Sequence, residues 1–77
     1  MTPPPDSQAP HIEITVNSAA RTVPAGLTVA TLLEFLEIES KHVAIERNLE
    51  VIRRSDFAET AVEPGDRIEV VTFFGGG

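Results

Sequence analysis

Leu27 to Ile38 reads LTVATLLEFLEI, and the spacing of its apolar residues decides the fold class. Val29, Leu32, Leu33 and Leu36 fall at i, i+3, i+4 and i+7, one face of a helix. Thr28 in front of them is a good N-cap, because its hydroxyl can accept from a first-turn N–H. Leu27 before it and Leu32 at the fourth helical position can close a hydrophobic staple. Glu34 and Glu37 lie on the opposite side or its edge, and Phe35 flanks the stripe as core rim. Burying each such apolar side chain contributes roughly 1.5–3 kcal/mol, so this face needs a sheet to pack on.

The sheet is legible on both sides of the helix. Upstream, Ile12, Ile14 and Val16 alternate with Glu13, Thr15 and Asn17, the period of a half-buried strand over residues 11–17. Asn17-Ser18 is a turn candidate, since Asn tolerates left-handed backbone angles. A second strand at about Arg21 to Val23 completes a hairpin, and Pro24 is expected to end its pairing. Downstream, Val43 to Arg47 is a third strand with Val43 and Ile45 on one face. Asn48 marks another turn, and Val51-Ile52 is long enough only for a short edge strand. Residues 53–57 then leave the sheet, with Phe57 as the anchor of that loop. Glu63-Pro64-Gly65-Asp66 has Pro and Gly at the two central positions of a type II turn. Arg67 to Phe73 is the last strand. Ile68 and Val70 face one way, Val71 and Phe73 the other, as in a central or partner-contacting strand.

Composition narrows the function. Seventy-seven residues make one domain at most, with little room for a deep substrate pocket beside a core. A binding or carrier module is therefore expected rather than an independent enzyme. Cysteine is absent, so no thiol can serve as nucleophile, metal ligand or persulfide carrier. His11 and His42 are isolated and lack partners at metal-ligand spacing, and no bound cofactor or metal is expected. The net charge is −6 with six basic residues, a poor footing for nucleic acid or an anionic membrane. Such a chain suits a protein partner with a basic docking face, or carries its charge for solubility alone. Arg47, Arg53 and Arg54 form the one local basic cluster, read first as a solvated face and second as a docking site. No apolar run is long enough to span a bilayer and no secretory signal is evident, so a cytoplasmic protein is expected.

The two ends differ in character. Residues 1–10 carry Pro3, Pro4, Pro5 and Pro10 and read as an extended, disordered leader. At the other end Phe73-Phe74-Gly75-Gly76-Gly77 follows the last strand with no linker. Terminal glycines can be a fraying end. They can also pass through a channel too narrow for any Cβ and present an unhindered α-carboxylate at Gly77.

A hairpin, one crossing helix, a third strand, a short strand and a final strand make an α+β domain. That order resembles the β-grasp, or ubiquitin-like, fold: a mixed sheet, one crossing α-helix and a flexible C-terminal tail. With the terminal glycines it is similar to the small sulfur carrier proteins of the MoaD/ThiS superfamily, and in particular to the ThiS family of thiamin biosynthesis. The stretches that carry the likeness are Gly26-Leu27-Thr28-Val29, Leu32-Leu33, Val43 to Asn48 with Val51-Ile52, Pro64 to Val71, and Phe73 to Gly77. The domain expected from it covers residues 11–73, with 74–77 as a working tail. Ser18 and Leu49 stand where the family often has Gly, which affects the turns and not the chemistry.

The resemblance implies a non-enzymatic co-substrate. An ATP-dependent, ThiF-like enzyme would adenylate the Gly77 carboxylate. Sulfur derived from cysteine, through a cysteine desulfurase or rhodanese-like donor, would convert it to a thiocarboxylate. A ThiG-like thiazole synthase would then take the sulfur. Phe73, Phe74, Gly75 and Gly76 would occupy the partner's cleft; fully extended, the five-residue tail reaches roughly 17 Å. Sulfur carriage for molybdopterin or for tRNA thiolation, and ubiquitin-like modification of other proteins, are alternatives with the same ending.

Overall fold

In the computed structural model, which describes residues 10–73, the alternating stretch His11–Val16 forms β1. It pairs antiparallel with β2, Ala19–Pro24. Asn17 and Ser18 between them have φ of 51° and 71°, as a two-residue hairpin of type I′ requires. β2 is longer than the expected Arg21–Val23. Pro24 lies inside the ladder, opposite His11, and Ala25 N–H extends the pairing to Pro10 C=O. The proline stands on an edge strand, where its missing N–H leaves no interior partner unsatisfied.

The helix α1 runs over Val29–Phe35, seven residues, and is shorter than the stretch Leu27 to Ile38 suggests. Its start is where the sequence puts it. Thr28 caps Thr31 N–H, and the Thr31 hydroxyl accepts from Thr28 N–H, closing a capping box. Its end is set by Glu37, whose φ is 60°. Glu37 N–H donates to Glu34 C=O and Ile38 N–H donates to Leu33 C=O, the two bonds of a Schellman cap. Leu36 and Ile38 keep helical spacing but pack against the core from beyond the helix. A 3-10 turn, Ser40–His42, leads into β3, Val43–Arg47. Asn48 and Leu49, both at positive φ, turn the chain into β4, Glu50–Ile52. Arg54–Glu59, expected to be a loop, is a 3-10 helix that drives Phe57 into the core at 4% exposure. Residues 60–62 then bond to the start of α1, through Val29 N–H to Thr60 C=O and Val62 N–H to Leu27 C=O. β5 follows the Pro64-Gly65 turn and spans Arg67–Thr72, so Phe73 lies just past the strand.

The five strands form one sheet in the order β2-β1-β5-β3-β4. β1 and β5 are parallel and every other pair is antiparallel. The last strand in the chain is therefore the central one. Helix residues Val29, Leu32 and Leu33 close over Ile14, Val23, Val43, Ile45 and Ile68 on one face of the sheet. That one-sided covering is the β-grasp arrangement expected from the element order.

Leu49 is 73% exposed and sits at φ 73°, so its side chain contributes little packing while its backbone is strained. Leu49→Gly is expected to raise stability by about 0.5–1 kcal/mol, the relief of strain less the added freedom of the unfolded chain. Urea denaturation midpoints of the two proteins check it.

Candidate functional site

The feature that needs explaining is the end of β5, where the chain leaves the sheet. Three sets of contacts fix that strand. The first is at its start. Asp66 is 5% exposed, and its carboxylate accepts from Arg47 Nε at 2.7 Å, Asn48 Nδ2 at 3.0 Å and Glu63 N–H at 2.8 Å. Asn48 Oδ1 in turn accepts from Arg67 N–H at 2.9 Å. The β3–β4 turn and the Pro64-Gly65 turn are thereby locked to each other. Burial pushes the Asp66 carboxyl up, but the hydrogen bonds from Arg47, Glu63 and Asn48, with the Arg47 charge, outweigh it and hold the group below its ordinary value.

The second set lies midway. The ladder between β1 and β5 has only two paired positions, Thr15 with Arg67 and Val16 with Ile68, before β1 turns away. Asn17 prolongs it. Its N–H donates to Ile68 C=O, its Oδ1 accepts from Val70 N–H at 2.7 Å, and its Nδ2 donates to Val70 C=O at 3.3 Å. A side-chain amide here does the work of a further backbone unit. The third set is at the exit. Phe73 N–H donates to His42 C=O at 2.8 Å, carrying the β3–β5 ladder one residue past Thr72.

The face of the sheet turned away from α1 carries an apolar patch at this exit. Val71 lies opposite Ala44 in the register and is 49% exposed. Phe73 is 56% exposed. Further from the exit on that face, Val51 of β4 lies opposite Glu46, and Glu46 and Glu69 face each other across β3 and β5, a like-charge pair that costs stability.

Of the residues expected to work in the tail, Phe73 is placed as an exposed apolar group at the strand's end. Phe74, Gly75, Gly76 and Gly77 lie outside the described residues, as do positions 1–9 of the proline-rich leader. The expected basic cluster divides. Arg47 is tied to Asp66, whereas Arg54 Nη2 donates to Lys41 C=O at 2.6 Å near the exit. His11 and His42 are both exposed, and no group of three metal-ligating side chains occurs among the described residues. A shallow cleft of about 240 Å³ lies between α1 and the Arg54–Glu59 3-10 helix, lined by Leu33, Glu34, Ile38, Ser55 and Phe57 among others, and it is separate from Phe73. No helix among the described residues is long and apolar enough to cross a membrane. Asn17, Asp66 and Asn48 were legible only as turn formers; that their side chains also pin β5 depends on contacts across the sheet.

Comparison with known proteins places this geometry in context. The model of the ThiS family matches residues 9–77. A thiazole synthase of Paramagnetospirillum magneticum is 42% identical over 66 residues, which are 86% of this chain and 20% of that protein. The sulfur carrier protein ThiS of Bacillus subtilis is 40% identical over 50 residues, 65% of this chain and 76% of that one. The crystal structure of the thiamine biosynthesis protein ThiS from Geobacter metallireducens matches with a TM-score of 0.75 and 38% identity, covering 86% of this chain and 100% of that one. The chain thus spans about a fifth of the length of the thiazole synthases it matches.

The Asp66 cluster gives a signed pH dependence. Its folded-state pKa is lowered from 3.8, so its contribution is fully present above the unfolded value and is lost as pH falls through the folded one. Asp66→Asn is expected to lose about 1–3 kcal/mol at neutral pH. The gap between variant and wild type should narrow below about pH 4. Thermal melts across that range measure it.

Proposed function

The chain belongs to the ThiS family, and from that premise we propose that it is a sulfur carrier for thiamin thiazole synthesis, with the Gly77 α-carboxylate as its working group. The observation that carries the reading is the path of β5. A central strand, bonded through Val70 on one side and through Phe73 on the other, leads without a linker into Phe74-Gly75-Gly76-Gly77. The relatives named as a sulfur carrier and as thiazole synthases support the same direction.

The chemistry follows from what a carboxylate lacks. At rest it is a poor electrophile and has no leaving group. An ATP-dependent activating enzyme of the ThiF type couples it to AMP with release of pyrophosphate. A persulfide on a desulfurase or rhodanese-like donor then displaces AMP to leave an acyl disulfide, and a second thiol of the partner cleaves its S–S bond, forming a partner disulfide and freeing the sulfur on the carbonyl. The product is a C-terminal thiocarboxylate, from which thiazole synthase takes sulfur and returns the carboxylate. The chain has no cysteine to hold sulfur as a persulfide, which leaves the terminal carbonyl as the carrier atom. General acids and bases for these steps belong to the partners, and ATP is the activating enzyme's substrate. The cytoplasm supplies ATP and cysteine, and the reading places the protein there.

In this reading the domain is a handle of fixed geometry. Val71 and Phe73, beside Ala44, give the partner an apolar seat at the base of the tail. Gly75 and Gly76 give clearance, because a side chain in a narrow channel displaces the carboxylate from its reaction partner.

Gly76→Val tests the channel. The melting temperature is expected to stay at the wild-type value, because the core and the described strand pairing end before this position. Carboxylate activation, followed as ATP–pyrophosphate exchange with the activating enzyme, is expected to fall about 100-fold or more. Full exchange in that variant contradicts the narrow-channel reading. In cells lacking the gene, growth restored by thiamin or its thiazole supports the thiamin branch. A defect that persists in molybdoenzymes or thiolated tRNA counts against it.

A further inference from the structure

Lys41, His42, Arg53 and Arg54 are brought together at the end of the sheet where β5 exits. Lys41 and His42 precede β3, and Arg53 and Arg54 follow β4; the sequence separates the two pairs by the whole β3–β4 hairpin. Arg54 Nη2 joins them through Lys41 C=O, and the next carbonyl, of His42, holds Phe73 N–H. Half of the chain's six lysines and arginines are thus placed around one strand end in a protein of net charge −6. All four side chains are on exposed residues. Among the described residues the one ion pair is Arg47 with Asp66, so no carboxylate of a described residue lies within 4.0 Å of Lys41, Arg53 or Arg54, Glu39 and Asp56 included.

From this arrangement we infer that Lys41, Arg53 and Arg54 form a cationic collar that docks on carboxylates around the mouth of the thiazole synthase cleft, so that the tail enters first. The inference rests on the sulfur carrier reading and adds the chemistry of the partner surface to it. Cations that have no ion-pair partner among the described residues, gathered at one end of an acidic domain, make it electrically lopsided. An acidic cleft mouth repels the domain in most orientations and attracts it in the one that leads with the tail. Such asymmetry acts mainly on the rate of encounter, by about 10–1,000-fold at low ionic strength, and it is screened by salt. The thiazole synthase is chosen as partner because a stretch similar to this chain is part of such a protein in Paramagnetospirillum magneticum.

The test is stopped-flow association of the full chain with the thiazole synthase of the same organism, from low to high salt. One variant combines Lys41→Glu with Arg53→Glu, which leaves the Arg54 bond to Lys41 C=O untouched. A second combines Arg21→Glu on β2 with Arg67→Glu at the start of β5, giving the same net charge away from the exit. The collar variant is expected to associate at least about tenfold more slowly at low salt, with a dissociation rate close to wild type, and the difference should vanish at high salt. The control variant should associate within about threefold of wild type. Lys41→Gln with Arg53→Gln should give an intermediate slowing, which guards against misfolding of the reversal variant. Equal slowing in the collar and control variants, or none in either, overturns the collar while leaving the carrier reading in place. A wild-type chain that does not bind the synthase at all overturns both.

Discussion

One buried carboxylate decides where the central strand begins. Asp66 collects three donors, from Arg47, Asn48 and the Glu63 backbone, and through Asn48 it reaches Arg67 as well. These residues come from two turns that are separate in sequence. Joining them sets the start of β5 and with it the register of every residue that follows. A slip of one position would exchange Ile68 and Val70 with Glu69 and Val71, moving charge into the core. The same slip would turn Phe73 inward and shift the exit of the chain.

Asn17 solves a second problem created by that placement. A central strand needs partners on both sides, but β1 ends in a hairpin after two paired positions. The amide side chain of Asn17 supplies the donor and acceptor that Val70 would otherwise lack. One residue therefore does two things: it takes the left-handed angle that the hairpin needs, and it extends the sheet. The result is a strand secured up to its final residue, with Phe73 held at a defined place. In the proposed function, the domain contributes position and recognition, and the partners contribute chemistry.

Much of this was legible in the sequence, for physical reasons that differ by element. β1, β3 and the start of α1 follow from period and capping, which are local. The end of α1 does not, because the left-handed position that stops it holds Glu37 rather than glycine. Leu36 and Ile38 continue the helical spacing and conceal the stop. β2 is longer than its β-branched residues suggest, since Ala19 and Ala20 carry no strand signal and are recruited by pairing to β1. The nearness of Arg47 to Arg53 in sequence suggested one basic cluster. A hairpin places them at opposite ends of β4, and Arg47 is absorbed by Asp66. In the candidate site, Phe73 was legible as an apolar group on the face of the final strand opposite Ile68 and Val70, and its exposure comes from its place just past the strand's end. The roles of Asp66 and Asn17 were not, because side-chain bonds across a sheet leave no trace in spacing.

The central claim is that the Gly77 α-carboxylate carries sulfur. Intact mass of the protein, isolated from cells that contain its activating system, addresses it most directly. The account requires a species heavier by the difference between sulfur and oxygen, with the gain confined to the C-terminal peptide and removed by thiazole synthase turnover. An unchanged mass in those cells, or a sulfur found elsewhere in the chain, would contradict it.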